Sequence, residues 1–287
     1  FKGRDADMER LAGLLEAAPG GRAARAAVVT SSAIHGLGGI GKTRLAVEYA
    51  RSHADRYTAL LFLSAETPEI LNAGLSGLVG RDLLDLPEKA HPHDEVRIPA
   101  VLNWLARNPT WLMILDNVDS EKARAAVQAL LPKLEGGHVL ITSRLTSFAP
   151  SVGRLPLEAL AVEDAVAYLL EATPSRPKAA DDAERARDLA GELGGLALGL
   201  AQAAAYMEAE CVSFRRYLEI WHSNRTKVMN WFDRDAVSYN HDVGLAATWI
   251  SSFEQLSPAA RALMDRLAFF APEPIPDRML DEADRIA

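Results

Sequence analysis

Gly36-Leu37-Gly38-Gly39-Ile40-Gly41-Lys42-Thr43 is the stretch on which the reading of this chain turns. A glycine, four free positions and then Gly-Lys-Thr form a phosphate-binding loop, and each fixed position has a mechanical reason. Glycines let successive backbone N–H groups curl around a phosphate, some at positive φ, with no Cβ in the way. Lys42 supplies a point charge for β- and γ-phosphates, and the Thr43 hydroxyl is a ligand for Mg2+. Ahead of the loop, the apolar run Ala26-Ala27-Val28-Val29 continues to Ala33-Ile34. Behind it, Leu45, Ala46, Tyr49 and Ala50 recur at helical spacing. The loop therefore joins a strand to a helix whose N-terminus faces the phosphates. A chance glycine-rich turn would not carry every fixed position in that setting. The chain is expected to bind a nucleoside di- or triphosphate, with Gly36, Gly38, Gly39, Ile40, Gly41, Lys42, Thr43 and the adjoining Arg44 as its contacts.

The 287 residues leave room for one large or two to three small domains. Apolar residues make up 49% and charged residues 24%, an ordinary globular balance that permits a sizeable core. A net charge of −8 argues against direct nucleic-acid contact by this segment and against binding to anionic membranes. The single Cys211 forms no intrachain disulfide, which suits a reducing, cytoplasmic compartment. With no His/Asp constellation around it, it reads as a packed core thiol. No apolar run reaches the length of a membrane span, and no signal peptide is expected. The chain opens on Phe1 and stops inside a helical pattern, so it is expected to be a piece of a longer protein. Its Ala-, Arg- and Leu-rich usage points to a high-GC bacterial source.

Strands and helices alternate along the first half. An amphipathic helix is expected over 5–18, N-capped by Asp5. Further strands are expected over 58–63, 111–115, 138–142 and 153–157, and helices over 68–84, 94–107 and 119–130. The run Trp111-Leu112-Met113-Ile114-Leu115 is unbroken, as in a strand buried on both faces of a parallel sheet. The pattern predicts an α/β fold, a doubly wound parallel sheet sandwiched by helices with ligands at the strands' carboxyl ends. Beyond Val162 the pattern is all helical. Boundaries near 158 and within 222–243 divide the chain into a nucleotide-binding domain (1–157), a helical domain (158–222) and a last segment (223–287).

Asp116, closing the third strand, is the expected Mg2+ partner opposite Thr43; an ordinary strand-end Asp would instead cap the next turn. Many hydrolytic P-loop ATPases carry a second acid directly after it to polarise the attacking water. Here that position is Asn117, which orients water but accepts no proton. Asp119 is one turn away and reads equally as the N-cap of the following helix. Slow hydrolysis follows. Arg144, after the fourth strand, either reports the γ-phosphate or forms a surface salt bridge.

Five motifs then stand in order: Phe1-Lys2-Gly3-Arg4-Asp5, the Gly36–Thr43 loop, Leu115-Asp116-Asn117-Val118-Asp119, Ile141-Thr142-Ser143-Arg144 and Leu193-Gly194-Gly195-Leu196-Ala197-Leu198. Together they resemble the NB-ARC domains of STAND-class P-loop NTPases, and the resemblance spans nearly the whole chain. It implies that the stretch matching Phe1, Gly3 and Arg4 lies over adenine and ribose. It implies too that Gly195, Leu196 and Ala197 touch the nucleotide from a helical domain. Ala197 stands where the family has a proline, so closure on ADP is expected to be looser. Residues 243 onward look like the opening of the family's winged-helix domain. The resemblance also implies ADP- and ATP-bound switch states, self-association with ATP, Mg2+ as cofactor, and flanking effector and sensor or repeat regions. Catalytic roles fall to Lys42, Asp116 and Arg144, at most those of a slow ATPase. The alternative is the NTPase section of a DNA-binding transcription regulator.

Overall fold

The computed structural model describes residues 2–16, 25–31, 39–231 and 256–267. Five parallel strands form one sheet: β1 (Arg25–Ser31), β2 (Ala59–Ser64), β3 (Trp111–Asp116), β4 (His138–Ser143) and β5 (Gly153–Leu157). Their order is β2-β3-β4-β1-β5. Side chains of β3 alternate between faces, as strand geometry requires. Trp111, Met113 and Leu115 enter one apolar core, while Leu112 and Ile114 enter the other. Every residue of β3 is buried, which explains its unbroken apolar run.

Helices cover both faces. α1 (Asp5–Glu16) and α2 (Lys42–Ser52) share a core with β5 and the even-numbered residues of β3. α3 (Pro68–Gly77), α4 (Asp94–Arg107) and α5 (Glu121–Leu130) pack on the opposite face. The apolar stripe of Leu45, Ala46, Tyr49 and Ala50 on α2 is buried throughout.

Three expectations about helix ends are corrected. Asp5 is the first residue of α1 and does not cap it; the Arg4 carbonyl accepts the bond from the Met8 N–H at 2.8 Å. α3 stops at Gly77 rather than 84, because the chain folds back there. Leu84 N–H donates to Leu78 O and Leu86 N–H to Val79 O, both at 3.1 Å, across a turn that places Asp85 at φ 48°. α5 is capped by Ser120, whose hydroxyl accepts from the Ala123 N–H at 3.1 Å. That releases Asp119 for another task.

Beyond β5 come α6 (Val162–Ala172), α7 (Asp182–Glu192), α8 (Ala197–Ala209) and α9 (Phe214–Trp231). They enclose a core of their own around Leu169, Leu189, Leu200, Met207 and Trp221. Cys211 is exposed rather than packed, since it occupies the left-handed turn (φ 50°) that follows α8. α10 (Pro258–Leu267) begins with Ser257 capping the Ala260 N–H at 3.2 Å. The rest of the expected winged-helix segment lies outside the described residues. No helix among the described residues is long and apolar enough to cross a membrane.

Candidate functional site

β1 runs toward the phosphate-binding loop, and α2 leaves it. Gly39 and Gly41 hold φ values of 90° and 101°, and Gly41 occupies the N-cap of α2, with its carbonyl accepting from Leu45 N–H at 2.8 Å. Lys42 and Thr43 are thus the first two residues of α2, at its positive end. Gly36 and Gly38, like Phe1, lie outside the described residues.

Asp116 closes β3, and β4 lies between it and β1. That inserted strand supplies Thr142, whose hydroxyl donates to Asp116 Oδ1 at 2.6 Å. The Thr43 hydroxyl donates to the same oxygen at 2.7 Å. Thr142 Oγ1 also accepts the Asn117 N–H at 3.0 Å, holding that residue at φ 61°. Two hydroxyls on one carboxylate oxygen fix the orientation of Asp116. Hydroxyl and carboxylate oxygens are the donor set that a hard divalent cation takes, and the Thr43 hydroxyl directs its proton toward Asp116, leaving its lone pairs free. Thr43 and Asp116 therefore fit Mg2+, which when bound would neutralise phosphate charge.

Two adjoining cavities of about 380 and 420 Å³ meet at Gly41, Arg44, Ala197 and Ala201. Together they are of the size that ligand pockets occupy. The second contains Lys42, Thr43, Asn117, Asp119 and Arg144, and so gathers the phosphate chemistry. The first is lined by Ile40, Leu160 and Tyr168 together with Lys2 and Arg4. Its walls combine apolar side chains with the cationic Lys2, Arg4 and Arg44.

Charge within the second cavity is interlocked. Burial pushes the Lys42 amine below the ordinary lysine value; Asp119 opposes that shift, Arg144 adds to it, and Asp116 opposes it more weakly. Arg144 is joined to Asp119 by a salt bridge at 3.0 Å, so it is at once an ion-pair partner and a residue of the cavity wall.

Arg4 lines the first cavity and is also held by the fold. It is buried, pairs with Asp7 at 3.0 Å, and donates to the carbonyls of Ile40 at 3.2 Å and Glu158 at 2.8 Å. It ties α1 to the loop and to the end of β5. Gly3 sits at φ 67° against Asp164 of α6.

The helical segment reaches the loop directly. Gly194 N–H donates to Gly191 O at 3.0 Å and Gly195 N–H to Ala190 O at 3.1 Å, a Schellman end for α7. This turn starts α8 on the phosphate-binding loop: Leu198 N–H donates to Gly39 O at 2.9 Å. One of the orphan donors of α8 is thereby satisfied by the loop itself. A Cβ on Gly39 would stand 2.8 Å from Leu198 Cβ, so the approach has no room to spare. Ala197 lines both cavities, whereas Gly195 and Leu196 serve to place it.

Sequence reasoning missed Thr142, Tyr168, Leu160 and Ala201. Thr142 lies within the motif Ile141-Thr142-Ser143-Arg144, but no site role is read from it. The other three carry no signal, because apolar and aromatic residues on a helical face (Tyr168, Ala201) or in a short connection (Leu160) read as core.

No family model matches the chain. It is 30% identical over 213 residues to the regulatory protein AfsR of Streptomyces coelicolor, covering 73% of this chain and 21% of that one. It is 23% identical over 285 residues to a nucleotide-binding leucine-rich repeat (NLR)-like protein of Hyaloscypha variabilis, covering 88% of this chain and 28% of that one. Among solved structures, the Walker-type ATPase PABY2304 of Pyrococcus abyssi superposes with a TM-score of 0.53 at 11% identity, over 79% of this chain and 73% of its own. The Aeropyrum pernix ORC1 protein, solved in complex with DNA, gives 0.51 at 17% identity, over 93% and 83%. The chain is an NB-ARC-like P-loop NTPase. This NB-ARC-like module spans 21% and 28% of the length of the two curated relatives it matches. The likeness to the two solved structures shows the fold alone.

Proposed function

We propose that this module is an adenine-nucleotide switch in a larger signalling or defence protein, with ADP in a closed resting arrangement and ATP in an open, self-associating one. The observation that carries this reading is the bond from Leu198 N–H to Gly39 O, which makes the phosphate-binding loop part of the docking surface for α8. Any ligand that reshapes the loop acts on that contact. A nucleotide can shift the arrangement only by its differential affinity for the two states.

In this reading Lys42 and the N-terminus of α2 hold the phosphates, Thr43 and Asp116 hold Mg2+, and Arg144 meets the γ-phosphate. Leu160, Tyr168 and Ile40 flank the base, while Ala197 closes the site from the helical side. Asn117 positions water without accepting its proton, so turnover is slow. Division at 157 and 222 separates the nucleotide-binding part, the helical part and the start of a winged helix. Flanking effector and sensor or repeat regions would supply the output, and we assign the protein to the cytoplasm. The similarity to a regulatory protein favours a second reading, in which the same switch controls DNA binding by flanking regions. At −8, this segment itself is unsuited to the duplex.

Denaturing freshly purified protein and identifying the released nucleotide by chromatography tests the proposal. Near-stoichiometric ADP supports it. No released nucleotide, together with no ADP binding on titration, overturns it.

A further inference from the structure

Asp119 has no role in the reading above, yet the fold holds it firmly. Its N–H donates to Asn117 O at 2.8 Å, bending the backbone tightly about Val118. Val118 is fully buried, its N–H donates to Thr142 O at 2.9 Å, and its carbonyl accepts from the Ser143 hydroxyl. With the helix cap taken by Ser120, the Asp119 carboxylate turns to Arg144. Oδ1 accepts the Arg144 backbone N–H at 2.6 Å, and Oδ2 meets its Nε at 3.0 Å. This two-point grip sits in the wall of the cavity that contains Lys42 and Thr43.

We propose that Asp119 is a specificity-determining residue that sets the preference of this site between a nucleoside diphosphate and a triphosphate. The inference rests on the nucleotide-switch reading. While a diphosphate occupies the site, Asp119 keeps the Arg144 guanidinium in a neutral pair. A third phosphate must draw Arg144 away and meets an uncompensated carboxylate beside it. Both effects fall mainly on the triphosphate; on Lys42, which would hold the diphosphate, Asp119 and Arg144 act in opposite directions and partly offset each other. The pair thus biases the resting protein toward ADP, a bias that attraction of the γ-phosphate to Arg144 must overcome.

The test is Asp119→Asn, in which the amide oxygen still accepts the Arg144 backbone N–H, while the negative charge and the acceptor for Arg144 Nε are lost. Calorimetric titration of the intact protein with ATP and with ADP is expected to show about tenfold tighter ATP binding and ADP binding within twofold. Arg144→Gln is expected to act the other way, weakening ATP and leaving ADP unchanged. An unaltered ATP-to-ADP ratio in Asp119→Asn overturns the proposal. So does a slower hydrolysis rate at an unaltered ratio, which would make Asp119 a base toward water instead. A native protein that binds neither nucleotide overturns the switch reading and this inference with it, an outcome distinct from both.

Discussion

Thr142→Val removes one oxygen and leaves the shape of the side chain nearly unchanged. Thr142 is 1% exposed, so no water replaces what is lost. Its hydroxyl donates to the Asp116 carboxylate at 2.6 Å, a charge-assisted bond worth about 1.5–3 kcal/mol. The same oxygen accepts the Asn117 N–H at 3.0 Å, and leaving such a donor unsatisfied costs about 1–3 kcal/mol. The added methyl group offsets about 0.8 kcal/mol. A net loss of about 2–5 kcal/mol follows. Thr142→Ser keeps both bonds and gives up only a methyl group, so a loss of about 1 kcal/mol is expected. Urea unfolding followed by tryptophan fluorescence reads the difference, since Trp111 is fully buried at the start of the strand that ends in Asp116. With urea slopes of about 1–3 kcal/mol/M, the Val variant's midpoint should fall by roughly 1 M or more. The Val variant should also lose Mg2+-dependent enhancement of ATP binding, because Asp116 is no longer held from both sides. Equal midpoints for the Val and Ser variants would refute the claim that Thr142 orients the acid.

Two further outcomes follow from the geometry. Ala197→Pro should fold and gain about 0.4–1 kcal/mol with tighter ADP binding, since Ala197 is the first residue of α8 and Leu196, at φ −70° and ψ 118°, already has the conformation that precedes a proline; a lower melting temperature would refute it. ADP affinity should decline with rising pH before the ordinary lysine value of 10.5, because burial, with Arg144 beside it, lowers the Lys42 pKa and only the ammonium form binds phosphate. The affinity is complete below that lowered value and is lost as pH rises through it; titration showing flat affinity up to 10.5 would refute the assignment.

Much of the site was legible in the chain because its chemistry is carried by short contiguous motifs. A glycine loop followed by Lys42 and Thr43 has one mechanical use, and an apolar run closing on Asp116 marks a central strand. Other expectations failed where two residues competed for one local role. Asp119 and Ser120 both suit a helix cap, and only the approach of Arg144 across 25 positions assigned the cap to Ser120 and the ion pair to Asp119. Gly77 ended α3 early because tertiary packing folded the chain back, a force to which helical periodicity is blind.

The sequence by itself determined the α/β alternation, the phosphate loop and the acid opposite it, since these depend on spacing within a few residues. Tertiary structure alone decided the strand order, with β4 between β1 and β3, that brings Thr142 onto Asp116. It also decided that Arg4 is a buried clasp, and that α8 begins on the carbonyl of Gly39 across 159 positions of chain. Periodicity specifies which face of an element is buried. Which distant element covers that face is settled by packing, where hydrogen bonds and close contacts must all be met at once.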